Sequence, residues 1–229
     1  QALDWHWAFG LTALGSLVAI VIVFLGTQRR PPPDPDTTTW LFDFRPVLKN
    51  RQALGYMLAY AVHNFELMAS MSWVVAFLTY SASQQFDVAA GWNIALIGGL
   101  VTLIALPASI LGNEVAMRLG RRRTVSTIML VSAALACGIG FSSTLPFAVV
   151  AALCLLYGAT TMADSASVTA GTVMATPPAE RGAAMAMHSF IGFIGAGAGP
   201  LVFGVILDLS GGPDTFMAWG IAFAVMGVV

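Results

Sequence analysis

The chain has 229 residues, of which 58% are hydrophobic and only 9% charged, with a net charge of −1 and a mean hydropathy of +0.82. A soluble domain carries about 25% charged residues, so this composition excludes a soluble globular enzyme, a nucleic-acid binder, which needs a basic face, and a disordered chain. The apolar runs are continuous rather than alternating, which excludes a transmembrane β-barrel and leaves an all-α fold, a polytopic transmembrane helical bundle.

Seven apolar segments follow in chain order, read against the roughly 20 residues that a spanning helix needs. The first is Trp5–Gly26. Gln1 is not an initiator and no charged segment precedes the run, so it does not read as a signal peptide. Residues 27–52 connect it to the next. Their Arg29-Arg30-Pro31-Pro32-Pro33-Asp34-Pro35-Asp36 stretch is incompatible with a helix and reads as an extended linker. Trp40–Lys49 sets Trp40, Phe42 and Phe44 beside basic residues and is expected to lie in the membrane interface. Ala53–Tyr80, Asn93–Met117, Thr124–Phe141, Pro146–Ala175, Gly182–Leu207 and Phe216–Val229 follow; the last has 14 residues, too few to span, and reads as truncated. The expected organisation is a first span over 1–26, a cytoplasmic linker over 27–52, and a six-helix bundle over 53–229 that is incomplete at its end. Cys137 and Cys154 lie in apolar runs and read as small packing residues.

All ten Lys and Arg fall in alternate connections. Arg29, Arg30, Arg45, Lys49 and Arg51 separate the first two spans, Arg118 and Arg121–Arg123 the third and fourth, and Arg181 the fifth and sixth. Residues 81–92, 142–145 and 210–215 carry none. The positive-inside rule then places the start outside and the end in the cytoplasm.

Polar residues within the spans are costly, at least about 2.5–3.5 kcal/mol for a charge at the bilayer centre, and they mark cavities. In the second span Tyr56, Ala59, His63, Glu66, Ser70 and Trp73 share one helical face. Glu66 is about 20 Å from Ala53 along a helix, near mid-membrane. His63 is one turn away and within reach of it. An imidazole and a carboxylate in a low-dielectric cavity can exchange and store a proton, because burial and neighbouring charge decide which protonation state is held. The alternative is a structural hydrogen-bonded pair. In the fifth span Tyr157, Thr160, Thr161, Asp164, Ser167 and Gly171 form a second polar stripe, either lining the same cavity or bonding a neighbouring helix. Glu114 and Arg118 form a favourable helical pair. In the sixth span His188, Gly192, Gly195 and Gly199 share a face, which reads as a close-packing stripe with a kink at Pro200 and His188 at its cytoplasmic end.

Two stretches carry a family resemblance. Asn113-Glu114-Val115-Ala116-Met117-Arg118-Leu119-Gly120-Arg121-Arg122-Arg123 resembles the short cytoplasmic loop motif of major facilitator superfamily transporters, roughly Gly-x-x-x-Asp-Arg-x-Gly-Arg-Arg. Arg118, Gly120, Arg121 and Arg122 match; Asn113 stands for the first Gly and Met117 for the Asp. Arg181-Gly182, leading into Gly195-Ala196-Gly197-Ala198-Gly199-Pro200, is similar to the entry of the family's eleventh helix. The resemblance implies that the spans correspond to the family's sixth to twelfth helices, and that the amino-terminal six-helix half is mostly missing. In the family, solute binds at midplane between two halves that rock to expose it alternately.

The expected function is therefore secondary active transport of a small solute, coupled to protons, by an integral multi-pass protein of the cell membrane. His63, Glu66, Trp73, Tyr157, Asp164 and His188 are the cavity and proton-coupling candidates. The expected partners are the lipid bilayer, a small-molecule solute and the amino-terminal half; no cofactor, metal or nucleic acid is expected. A seven-helix receptor or sensor is the alternative, but the only Lys is Lys49, outside the spans, and receptor signatures are absent. No catalytic constellation such as His-Glu-x-x-His or Gly-x-Ser-x-Gly occurs, so enzymatic activity is not expected. No Arg or Lys lies inside a span, which favours a neutral or cationic solute.

Overall fold

A computed structural model describes residues 5–28, 43–85 and 91–229. It is helical throughout, with no strand among the described residues. The elements are α1 (Trp5–Gly26), α2 (Arg45–Lys49), α3 (Arg51–Ser83), α4 (Ile94–Leu103), α5 (Ala105–Leu119), α6 (Arg121–Ile139), α7 (Phe147–Ala163), α8 (Ser165–Ala175), a 3-10 turn (Pro178–Glu180), α9 (Arg181–Leu209) and α10 (Phe216–Val228). The proline-rich stretch 29–36, together with Trp40 and Phe42, lies outside the described residues. Helix α1 forms one unit, an apolar rod long enough to cross a membrane, and the elements from α2 onward form another.

Six of the described segments are long and apolar enough to span a bilayer: α1, α3, α4 with α5, α6, α7 with α8, and the turn with α9. Helix α10 is shorter, at 13 residues. The chain is thus a polytopic helical membrane protein. Two of the spans are interrupted. At Ile104, between α4 and α5, Pro107 supplies no N–H to the Leu103 carbonyl, and the helix kinks. At Asp164, between α7 and α8, the hydroxyls of Thr160 and Thr161 bond back to the carbonyls of Leu156 and Tyr157, at 3.1 and 2.8 Å. Such back-bonding competes with the helix ladder and bends it.

Arg121–Arg123 were expected in a connection, with the fourth span starting at Thr124. The structure corrects this: they form the first turn of α6. The whole connection is Gly120, at φ +95°, a backbone state a side chain would oppose. A single left-handed residue reverses the chain, so the next helix begins at once.

Helix α3 is the axis of this unit. Helix α9 lies along it so closely that a Cβ at Gly195 would fall on the Ala61 carbonyl, one at Gly199 on the Phe65 carbonyl, and one at Gly192 on the Tyr60 ring. Trp73 Nε1–H donates to the Pro200 carbonyl at 3.1 Å and its ring stacks on Phe203. Beyond it Phe77, Phe203, Trp219 and Phe223 interlock as a buried aromatic core. Side chains such as Leu106, Ile110, Leu130 and Phe193 remain exposed, as suits a surface wetted by lipid tails.

The two ends of the bundle differ in chemistry. At one end Asn50 caps α3 by accepting from the Ala53 N–H, and its amide donates to the Ala175 carbonyl at 2.7 Å. Arg181 meets the Thr176 carbonyl there, at 3.4 Å. At the other end Gln85 caps α7: its oxygen accepts from the Phe147 N–H at 3.0 Å, and its amide donates to the Ser143 and Leu145 carbonyls. The described basic residues of this unit belong to the first end, in the alternation that the sequence requires.

The glycine seam gives a contrast between neighbours. Gly195→Ala overpacks the seam and should lower the melting temperature of the purified full-length protein, by an amount corresponding to about 1–3 kcal/mol. Gly197, where an added Cβ meets nothing within 4 Å, should accept Ala without loss, since Ala is the better helix former by about 1 kcal/mol. Equal melting temperatures for the two variants would show that the seam does not need glycine.

Candidate functional site

Glu66 sits midway along α3, fifteen residues after Arg51 and seventeen before Ser83. His63, Glu66, Asp164 and His188 are 2%, 8%, 2% and 2% exposed, so four ionisable side chains are withdrawn from the surface. Three elements bring them together: α3 supplies His63 and Glu66, the α7–α8 break supplies Asp164, and α9 supplies His188.

Their pairing differs from the expected His63–Glu66 contact. The His63 partner is Asp164, with Nδ1 2.8 Å from Oδ1. The approach is not an aligned hydrogen bond, and Nε2 of His63 has no hydrogen-bond partner among the described residues. Glu66 turns to another helix, where its Oε1 accepts from the Ser132 hydroxyl of α6 at 2.7 Å. Ser132 is 3.1 Å from the Thr161 hydroxyl, which donates in turn to the Tyr157 carbonyl. Tyr157 is itself buried, and its hydroxyl has no hydrogen-bond partner among the described residues.

His188 joins the cluster through a ring stack. Tyr60 lies between the two histidines, its centroid 3.9 Å from that of His188 and 5.9 Å from that of His63, each at 15°. The ring nitrogens of His188 lie 3.0 Å from the Thr172 hydroxyl and 3.4 Å from that of Thr169. Trp73, two turns beyond Glu66, belongs instead to the α9 contact and the aromatic core. The stripe on α7 and α8 therefore meets the α3 face, with Tyr157, Thr161 and Asp164 all in the cluster.

Protonation governs what such a group can hold. Ionising both carboxylates with both histidines neutral would leave two buried negative charges without a cation, because no Lys or Arg belongs to the cluster. Unpaired buried charge is expensive, so protons within the cluster must offset the carboxylates. Sequence reasoning missed Tyr60, Ser132, Thr169 and Thr172. Tyr60 was detectable as the residue one turn before His63 on the same face; the hydroxyls carry no signal without knowledge of which helices touch.

The loop motif is a second polar centre. Arg118 and Glu114 form an exposed i,i+4 pair, Nε to Oε1 at 2.8 Å. Arg121 is an anchor: Nη1 donates to the Asn113 side-chain oxygen at 2.9 Å and to the Ser167 carbonyl of α8 at 3.0 Å. Asn113, which occupies the motif's first position, thus ties α5, α6 and α8 together, with Ser167 Oγ 3.4 Å from the same oxygen. Three arginines in the first turn of α6 oppose the helix dipole, at about 0.3–1 kcal/mol each. Asn113→Ala should lower the melting temperature of the full-length protein by an amount corresponding to about 1–2 kcal/mol, and Asn113→Asp, which still accepts from Arg121, should not. A melting temperature unmoved by Asn113→Ala would remove the anchor.

Comparison with known proteins meets this geometry. The profile of the Major Facilitator Superfamily matches residues 67–229, from the middle of α3 to the end of the chain. A sphingosine-1-phosphate transporter SPNS2 of Xenopus tropicalis is 24% identical over 224 residues, covering 90% of this chain and 44% of the relative. The SPNS2 of Danio rerio is 25% identical over 233 residues, covering 89% and 45%. The chain thus spans somewhat less than half the length of these relatives. With apolar spans, a degenerate copy of the loop motif and a profile match over more than two thirds of its length, the chain belongs to the major facilitator superfamily of membrane transporters.

Proposed function

We propose that this chain is the carboxy-terminal part of a secondary active transporter that moves a small solute by alternating access, driven by protons. The reading rests on one observation, the buried cluster of His63, Glu66, Asp164 and His188 across α3, α7, α8 and α9. Glu66 is the proton carrier in this scheme. As a carboxylate it accepts from Ser132; once protonated it becomes a donor, and the Ser132–Thr161 hydrogen bonds must turn over. His63 and Asp164 form the charge pair that sets the field Glu66 experiences. The same proposal divides the chain into a first span over 1–26, a linker over 27–52 and a six-helix bundle from 53. An amino-terminal six-helix half completes the solute cavity, and the protein resides in the cell membrane with its basic end in the cytoplasm. The relatives are named for sphingosine-1-phosphate; in this chain the described arginines of the spans sit at helix ends, and no Arg or Lys belongs to the buried cluster at mid-span. A neutral or cationic solute fits this part better.

Transport in vesicles separates coupling from folding. Glu66→Gln keeps size and hydrogen bonding but abolishes titration; it should retain solute counterflow and lose accumulation driven by a pH gradient. His63→Ala should shift the pH optimum of transport, because the partner of Asp164 is gone. If Glu66→Gln and Asp164→Asn each keep full gradient-driven accumulation, the cluster is not the coupling site. Orientation has its own check: a cysteine at Arg122 should label only from the cytoplasm and one at Ser210 only from outside, and labelling of both from one side overturns the topology.

A further inference from the structure

Three cations share the first turn of α6, where the helix dipole disfavours them. Among the described residues, Arg121 alone of the three is held by hydrogen bonds to the protein, to Asn113 and Ser167. Arg122 and Arg123 are exposed and have no carboxylate partner among the described residues; the neighbouring acid, Glu114, is taken by Arg118. All three arginines line one open cavity of about 740 Å3, whose other walls include Gln52 and Tyr56 of α3 and Ser126 of α6, with no acidic residue among its lining. Three guanidinium groups, two of them without a carboxylate partner among the described residues, lining one cavity with a hydroxyl and an amide at the positive end of a helix match the chemistry of a phosphate.

A second feature decides what bears that phosphate. Arg123 also borders an apolar groove of about 440 Å3, walled by α5, α6 and α7 through Leu111, Val115, Ile128 and Ala159. The groove runs along α5 from Ala108 to Leu119, about 16 Å at 1.5 Å per residue. That is close to one leaflet of a hydrocarbon core of about 30 Å. A charged cavity at the basic end and a leaflet-long apolar groove therefore meet at one residue.

We propose that Arg121, Arg122 and Arg123 with the α5–α6–α7 groove form a binding site for an anionic phospholipid of the bilayer, its phosphate on the arginines and one acyl chain in the groove. The site stands apart from the His63–Glu66–Asp164 cluster and does not depend on proton coupling. A bound anion also offsets the unfavourable interaction of the arginines with the helix dipole, since it is itself attracted to both.

Native mass spectrometry of the full-length protein in detergent, offered phosphatidylglycerol against phosphatidylcholine of the same chains, tests it. The wild type should retain phosphatidylglycerol preferentially. The pair Arg122→Gln and Arg123→Gln should reduce that preference roughly tenfold; Lys at both positions should keep most of it. Arg45→Gln, which removes an exposed charge outside the site, should leave it unchanged. Thr127→Trp, an exposed groove position, should also weaken phosphatidylglycerol retention, because it fills the space for the chain. Melting temperatures near the wild type certify that the variants are folded. Equal retention of the two lipids, or a preference untouched by the Gln pair, overturns the site. A loss with the Gln pair but not with Thr127→Trp, matched by competition from inorganic phosphate alone, overturns the lipid and leaves a phosphate pocket.

Discussion

The approach of α9 to α3 through Gly192, Gly195 and Gly199 is the constraint from which the rest of the unit follows. In a bilayer no water is available for polar side chains, so the ionisable face of α3 must be covered by other helices. Bulky residues on α9 would hold its backbone away and leave a gap at the level of His63. With glycine at each contact, backbone meets backbone, Tyr60 slides against His188, and the Trp73 indole reaches the Pro200 carbonyl. Close approach here is a device for burying polarity, because small residues allow the interhelical contacts that lipid tails cannot supply.

Much of this was legible in the sequence. Helix α1 has the bounds its apolar run implies, and the alternation of arginines sorts the connections into two classes. The polar faces of the second and fifth spans do meet, with Asp164 against His63. Pairing was not legible. His63 was expected beside Glu66 because helical spacing puts them within one turn, yet their close partners are 101 and 66 residues away in sequence, at Asp164 and Ser132. Periodicity reports which face a residue occupies and says nothing of the helix across from it. Gly120 misled in another way: a loop of arginines is the usual meaning of Arg-rich sequence between spans, and only the positive φ shows that the turn is one residue long. Asn113 was read only as standing for the motif's first Gly, and Gln85 was not singled out, because neither is charged; each works through an amide that bridges elements distant in sequence.

Helix α8 shows how these features are tied together. It is 11 residues long and separated from α7 by the break at Asp164. That break carries the carboxylate paired with His63. One turn on, the Ser167 carbonyl is held by Arg121; Thr169 and Thr172 then meet His188; and the Ala175 carbonyl at its end accepts from Asn50. An unbroken helix through Asp164 would fix all four contacts to the register of α7, which is set at the far end by Gln85 and the aromatic core. The break frees α8 to take its register from α3, α6 and α9 instead. The same 11 residues therefore link the motif arginine at the basic end to the buried cluster at mid-depth, through one short rigid element whose orientation both centres determine.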